Sequence, residues 1–170
     1  CDDDQLASAL RSIRNHGADA KPGCHDRVGL TGRLDTLQAA VLLAKLEVFD
    51  AEIKDRQQVA ERYSEAVAGL VTPPKAEAGV EPVWAQYTVE VQGREVIRSR
   101  MAEAGVPTCV FYPHPVHLNA AYCACPVVSD GTPVASLASS RVMSLPMHPY
   151  LDESTQDRIV SAFQHALVGP

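Results

Sequence analysis

Lysine is scarce in this sequence of 170 residues: Lys21, Lys45, Lys54 and Lys75 are the only four. They fall in loops or on one long helical stretch, where solvated surface is their usual place. None has the desolvated pocket or cationic neighbour that lowers an amine's pKa for Schiff-base chemistry. A basic stripe is also missing: the arginines are scattered among acids and the net charge is −6, which argues against nucleic-acid binding. No run of about eighteen apolar residues occurs, and no basic segment leads into one, so neither a membrane span nor a signal peptide is expected. G-x-S-x-G, a P-loop and a catalytic-type cysteine surround are all absent, leaving no evident catalytic engine. An initiating Met is lacking too. CDDDQLASALRSIRNHG reads as a helix entered from upstream, with Leu6, Leu10 and Ile13 after an acidic first turn, which suggests a fragment of something longer.

What is present suits a folded globular chain: 46% hydrophobic and 21% charged residues, at a length that favours one unit over two. Cys1, Cys24, Cys109, Cys123 and Cys125 form an odd set with no regular framework, the usage of a reduced, cytoplasmic protein. No internal repeat is visible.

Gly17 ends the first helix, and ADAKPGCHDRVGLTG then has loop composition. Asp35 and Gln38 form a capping pair for a helix predicted to run to about Gly69. Beyond Ile53 its apolar positions, Ile53, Ala60, Tyr63, Val67 and Leu70, keep to one face, with Glu52/Arg56 and Asp50/Lys54 at supportive spacing. The half from Leu34 to Phe49 differs. It carries two stripes, Leu34/Leu37/Val41/Ala44/Val48 and Leu42/Leu46/Phe49, around six consecutive apolar residues, Ala39 to Ala44. Such a helix needs a partner on more than one side.

Val71 to Pro82 reads as a loop or hinge. In WAQYTVEV, Ala85, Tyr87, Val89 and Val91 alternate with polar residues as in a half-buried strand. GREVIRSRMAEAG predicts a helix with Val96, Ile97, Met101 and Ala104 inward and Gly105 as its stop. VPTCVFYP reads as a strand. A proline-rich irregular stretch follows, then a short helix around Val134 to Ser140, the strand-like RVMSLP, and a last helix from Asp152 burying Ile159, Val160, Phe163 and Leu167. This order predicts a small α/β layer packed on helices.

Histidines and cysteines gather where HPVH (His114, His117) precedes CAC (Cys123, Cys125). Zinc could use such ligands, but a single residue between two cysteines is unusual for it, and loop histidines with half-buried thiols are the commoner reading. Asn15 and His16 sit at a helix end beside Gly17. Thr31, Gly32 and Arg33 precede the long helix, where an anion such as phosphate could sit, although a plain cap is commoner there. Tyr112 and His117, flanked by prolines, could be rigid contacts for a ring or sugar, or only a packed surface loop.

Four segments, RSIRNHG, RVGLTGRLDTLQAAVLLAKLEVFDAEIKDRQQVAERY, GVPTCVFYPHPVHLNAAY and RVMSLPMHPYLDE, resemble in order and spacing the C-terminal part of the DegT/DnrJ/EryC1/StrS sugar aminotransferases. The resemblance spans nearly the whole chain. Within the family the wording is nearest to transaminases that aminate a UDP-linked 3-keto-N-acetylglucosaminuronic acid (UDP-2-acetamido-2-deoxy-3-keto-glucuronate) for a surface polysaccharide. The resemblance implies an α/β (α+β) fold, that of the small C-terminal domain of a fold-type I aminotransferase. Such a domain is a long bent helix at about 33–69 plus a small, mostly antiparallel sheet covered by helices. It further implies pyridoxal phosphate as cofactor, glutamate as amino donor, a nucleotide-sugar substrate and a homodimer with active sites at the subunit interface. The lysine that carries the cofactor belongs to the family's large N-terminal domain, which would precede Cys1, so the resemblance places no catalytic residue here.

The same resemblance carries roles onto this sequence. In the family pattern Gly-x-Asn-x-Arg-Leu-Asp the Asn contacts the cofactor phosphate of the other subunit. Gly29, Arg33, Leu34 and Asp35 match, and Thr31 replaces the Asn, a hydroxyl that can still donate to phosphate. Tyr-Pro-x-Pro-x-His matches Tyr112, Pro113, Pro115 and His117 on the sugar-nucleotide side, with Phe111 where close relatives often have His. His16 and Arg27 match positions near the cleft. Thr31 and Arg33 are thus the implied cofactor contacts, and Tyr112, His117, His16 and Arg27 the implied substrate contacts. Two other readings remain from the residues alone: a non-catalytic dimerisation module built on the two-striped helix, and a small metal-binding module.

Overall fold

A computed structural model describes residues 1–18, 21, 23–128 and 131–169. The sequence expectations for Asp19, Ala20, Pro22, Ser129 and Asp130 fall outside the described residues. Five α-helices, α1 (Asp4–Ile13), α2 (Thr36–Val67), α3 (Arg94–Glu103), α4 (Pro133–Arg141) and α5 (Glu153–Val168), accompany a short 3-10 turn, Val116–Leu118, and two strands, β1 (Tyr87–Glu90) and β2 (Val142–Leu145). This is the mixed α/β composition expected. The chain, read from its length as one unit, divides into two compact ones, Cys1–Val48 and Phe49–Pro170.

In the first unit, α1 is capped by Asp3, whose Oδ1 accepts the Leu6 N–H at 3.0 Å. It buries no side chain, and Leu6 and Leu10 are half exposed. The 32-residue α2 has no Gly or Pro between its ends, which is why it can run so long. Its part within this unit leaves both apolar stripes uncovered: Leu37 is 83% and Leu43 65% exposed, Val41, Leu42 and Leu46 are each more than half exposed, and so is Leu34 just ahead of the helix.

The second unit holds the core. From α2, Val59, Ala60, Tyr63 and Val67 are buried. Ile53 is only partly covered and Leu70 lies past the helix end, so the inner face starts later than the sequence pattern suggested, and Val59 belongs to it. Arg56 Nη1 donates to the Trp84 carbonyl at 3.0 Å, and Glu52 accepts the Tyr150 hydroxyl, contacts that no i,i+4 rule would find. β1 and β2 pair antiparallel, with Tyr87 opposite Leu145 and Val89 opposite Met143. Tyr87, Val89 and Val91 face inward as their alternation predicts, while Ala85, before the strand, is exposed.

VPTCVFYP does not form the predicted strand. It reduces to one bridge, in which Ser144 N–H donates to the Cys109 carbonyl at 2.8 Å and Cys109 N–H returns to the Ser144 carbonyl at 3.2 Å. Pro107 and Pro113 lack the N–H a longer ladder needs. The buried Ser144 hydroxyl finds Thr88 Oγ1 at 2.8 Å across the sheet.

Helix α3 packs on α5. Of its expected inner residues Ile97 and Met101 are buried, whereas Val96 is 55% exposed and Ala104 also faces solvent. Gly105 ends it at φ +72, the left-handed geometry of a glycine stop. α5 is capped by Asp152, whose Oδ1 accepts the Thr155 N–H at 2.7 Å, and that bond holds the carboxyl below its usual range. Its fully buried residues are Gln156, Ile159, Phe163 and Ala166, with Val160 and Leu167 packed at the margin. Arg62 on α2 donates to Asp157 on α5 at 2.6 Å, which raises the guanidinium's already high pKa.

Candidate functional site

The implied contact residues fall in both units. In the first, two segments are laced together by backbone hydrogen bonds: Leu30 N–H to Ile13 carbonyl at 2.9 Å, His16 N–H to Leu30 carbonyl at 3.0 Å, and Gly32 N–H to Arg14 carbonyl at 2.7 Å. Asn15 and Thr31 form the resulting bridge. Glycine permits this approach. A Cβ at Gly29 would stand 2.1 Å from the Gly17 nitrogen and 2.6 Å from the Ile13 carbonyl oxygen, and one at Gly17 would stand 1.7 Å from the Arg27 carbonyl oxygen.

This lacing brings His16 and Thr31 side by side, with Thr31 Oγ1 at 3.3 Å from His16 Nε2. It also sets the Arg27 backbone against Gly17. Thr31 stands in the bridge, five positions before the first residue of α2, and its side chain is exposed there. Arg33, between the Thr31 bridge and the start of α2, is exposed.

In the second unit, Phe111 and Tyr112 meet edge to face with ring centroids 5.9 Å apart. Phe111 borders an open depression of about 320 Å³ shared with Cys109, Ser144, Pro146 and Met147. Tyr112 is 72% exposed. His117 sits in the 3-10 turn, half-buried, with Nε2 at 3.0 Å from Thr132 Oγ1. Thr132 escaped the sequence reading because a partner fifteen residues away, across an irregular stretch, leaves no periodic trace.

Cys123 and Cys125 are exposed rather than half-buried. Among the described residues no three His, Cys, Asp or Glu side chains gather as a metal site requires. All four lysines are exposed. Among the described residues no helix is long and apolar enough to cross a membrane.

The model of the DegT/DnrJ/EryC1/StrS aminotransferase family matches residues 1–164. The chain belongs to this family. It is 44% identical over 164 residues to the UDP-2-acetamido-2-deoxy-3-oxo-D-glucuronate aminotransferase of Pseudomonas aeruginosa, a match covering 94% of this chain and 44% of that protein. With the dTDP-3-amino-3,4,6-trideoxy-alpha-D-glucose transaminase of Streptomyces venezuelae it shares 35% identity over 162 residues, 94% of this chain and 42% of the other. Among solved structures, a DegT/DnrJ/EryC1/StrS aminotransferase from Brucella abortus superposes with a TM-score of 0.85 at 40% identity, covering 95% of this chain and 43% of that one. DesV of S. venezuelae, solved in complex with a ketimine intermediate, gives 0.82 at 34% identity, with 96% and 45% covered. This chain thus spans less than half the length of the family members it matches.

Proposed function

We propose that this chain is the C-terminal part of a pyridoxal-phosphate sugar-nucleotide aminotransferase. The parent enzyme moves an amino group from glutamate to a UDP-linked 3-keto uronic sugar for surface polysaccharide synthesis in the cytoplasm. The observation that carries the reading is the 44% identity, over 94% of the chain, to the P. aeruginosa UDP-2-acetamido-2-deoxy-3-oxo-D-glucuronate aminotransferase. Its counterpart acting on a dTDP sugar stands lower, at 35%.

In this reading residues 1–170 are the small domain together with an interdomain helix at about 33–69, and a large domain bearing the cofactor lysine precedes them. The apolar half of α2, both of whose stripes are uncovered in this chain, then packs against that large domain and against the second subunit of a homodimer. Pyridoxal phosphate supplies the electron sink for amino transfer when bound. The residues present fit its phosphate end: the Thr31 hydroxyl is an exposed donor, and the exposed Arg33 guanidinium adds the positive charge and fork of donors that phosphate favours. Tyr112, His117, His16 and Arg27 serve the nucleotide-sugar side, binding and orienting it. Phe111 offers that sugar an apolar edge in place of a hydrogen bond.

The test is amination of the UDP-linked 3-keto uronic sugar, with glutamate as donor, by the full-length protein and by residues 1–170 alone. Turnover by the full-length protein and none by the 170-residue segment is expected. Failure of the full-length protein on any 3-keto nucleotide sugar overturns the proposal and favours a non-catalytic dimerisation module.

A further inference from the structure

The CAC segment, Cys123 to Cys125, has no part in the proposed function. Both of its thiols are reduced and exposed. Among the described residues too few ligands gather for a metal site. Exposure is, however, what thiol–disulfide exchange requires, since a small molecule must reach the sulfur.

The backbone keeps the two residues in a turn. The Cys125 N–H donates to the Tyr122 carbonyl at 2.9 Å, which makes Cys123 and Ala124 the central residues of a hydrogen-bonded turn. The turn before it is closed by the Tyr122 N–H on the Asn119 carbonyl, also at 2.9 Å. From there the Asn119 side chain reaches back to the Val116 and Pro115 carbonyls at 3.3 and 3.4 Å. Successive turns thus lead from the 3-10 turn that carries His117 into the cysteine pair. Two trans peptides span at most about 7 Å between their outer α-carbons, and a turn shortens that span. A disulfide takes α-carbons roughly 4.4–6.8 Å apart, so this pair can be bridged without moving distant parts of the chain. No two of the five cysteines stand closer in sequence, and closing so short a loop costs little chain entropy. The resulting ring is tight and open to solvent, the properties of a disulfide that is readily reduced again.

We propose that Cys123 and Cys125 are a redox-sensitive dithiol, which glutathione disulfide oxidises reversibly to an intramolecular disulfide. The thiolate of one cysteine attacks a sulfur of the small disulfide; a mixed disulfide forms and one glutathione thiolate leaves. The second cysteine, as its thiolate, attacks the protein sulfur of that mixed disulfide, and the other glutathione leaves. The cysteines give up two electrons and two protons and gain one S–S bond, while the small disulfide loses its S–S bond and becomes two thiols. Excess reduced glutathione runs the same steps backwards.

The test is anaerobic equilibration of the 170-residue chain in mixtures of reduced and oxidised glutathione, followed by acid quenching and peptide mass mapping. Fragment spectra are expected to show two hydrogens lost across Cys123 and Cys125, with no glutathione attached there. At a fixed ratio of the two glutathione forms, diluting the total tenfold is expected to raise the disulfide-to-dithiol ratio about tenfold. Two glutathiones are released for each bridge, whereas a mixed disulfide exchanges one for one and ignores dilution. Cys123→Ser and Cys125→Ser are each expected to lose that response and to keep one glutathione on the remaining thiol. Stable glutathione adducts at either position of the unsubstituted chain, or a ratio that ignores dilution, overturns the proposal. So does a bridge from either residue to Cys109 or to a second chain, or no oxidation at all. None of these outcomes touches the aminotransferase reading, which uses neither cysteine.

Discussion

Tyr63 ties the second unit together through its ring and its hydroxyl. The ring lies 5.1 Å from that of Tyr87, and the hydroxyl donates to the Pro146 carbonyl at 2.9 Å. Tyr87 in turn shares a 2.9 Å hydrogen bond with Ser64 Oγ. Burial pushes both phenols above their ordinary pKa, because the phenolate would lose its water. A folded pKa raised above the unfolded one gives stability that is full below about pH 10 and is lost as pH rises toward the folded values. Alkaline titration is therefore expected to show tyrosinate absorbance in two steps, with Tyr63 and Tyr87 ionising only as circular dichroism is lost. All five tyrosines titrating near pH 10 with the fold intact would refute this. Tyr63→Phe should cost about 1 kcal/mol at neutral pH in urea titration, by orphaning the Pro146 carbonyl, and should make the alkaline loss shallower. At this scale the sequence was partly readable. Tyr63 and Tyr87 announce themselves by periodicity, whereas Thr132 beside His117, or Arg56 under the Trp84 carbonyl, depend on where distant loops return.

Helix α2 joins two opposite surface chemistries in one element. From Val59 to Val67 it is a one-faced core helix; from Leu37 to Leu46 its leucines and Val41 are more than half exposed. So large an apolar surface drives association in water. Leu42→Glu with Leu46→Glu is expected to lower the apparent mass in sedimentation or light scattering while the near-ultraviolet signal of Trp84 and the core tyrosines persists. A chain that is already a dilute monomer before substitution would count against that. The helices were legible because period 3.6, the Asp152 cap and the Gly105 stop are local signals. The third strand was not. VPTCVFYP has strand composition, but Pro107 and Pro113 restrict its pairing to the single bridge at Cys109, a cost that composition does not weigh. Val96 and Ala104 were assigned inward for the same kind of reason: a ten-residue helix packed mainly on α5 buries a narrower face than its apolar residues span.

For the whole molecule the consequence is uneven stability. Among the described residues every buried apolar side chain in the core lies between Val59 and Ala166, and α1 buries none. Local opening is held back by buried apolar contacts, so protection from exchange should follow that division. Amides of β1, β2, α3 and α5 are expected to exchange only through global unfolding, while those of α1 and of α2 before Phe49 exchange through smaller openings, orders of magnitude faster. Phe163→Ala, which empties a fully buried ring position, is expected to cost about 3–5 kcal/mol and to accelerate the slow set without altering the fast one. The first unit's laced loop gives an internal control. Gly29→Ala drives a Cβ into the Gly17 nitrogen and the Ile13 carbonyl, so it should speed exchange at His16, Leu30 and Gly32 and leave α5 untouched. Uniform protection along the chain, or faster exchange across α1 and α5 together in Gly29→Ala, would mean that the two units unfold as one. If exchange does divide at Val48/Phe49, the segment carrying His16 and Thr31 is the more weakly held part of this chain. On the proposed reading, its order in the full-length protein comes from the surfaces that cover α2, and the proposed contact of Thr31 with phosphate then depends on assembly.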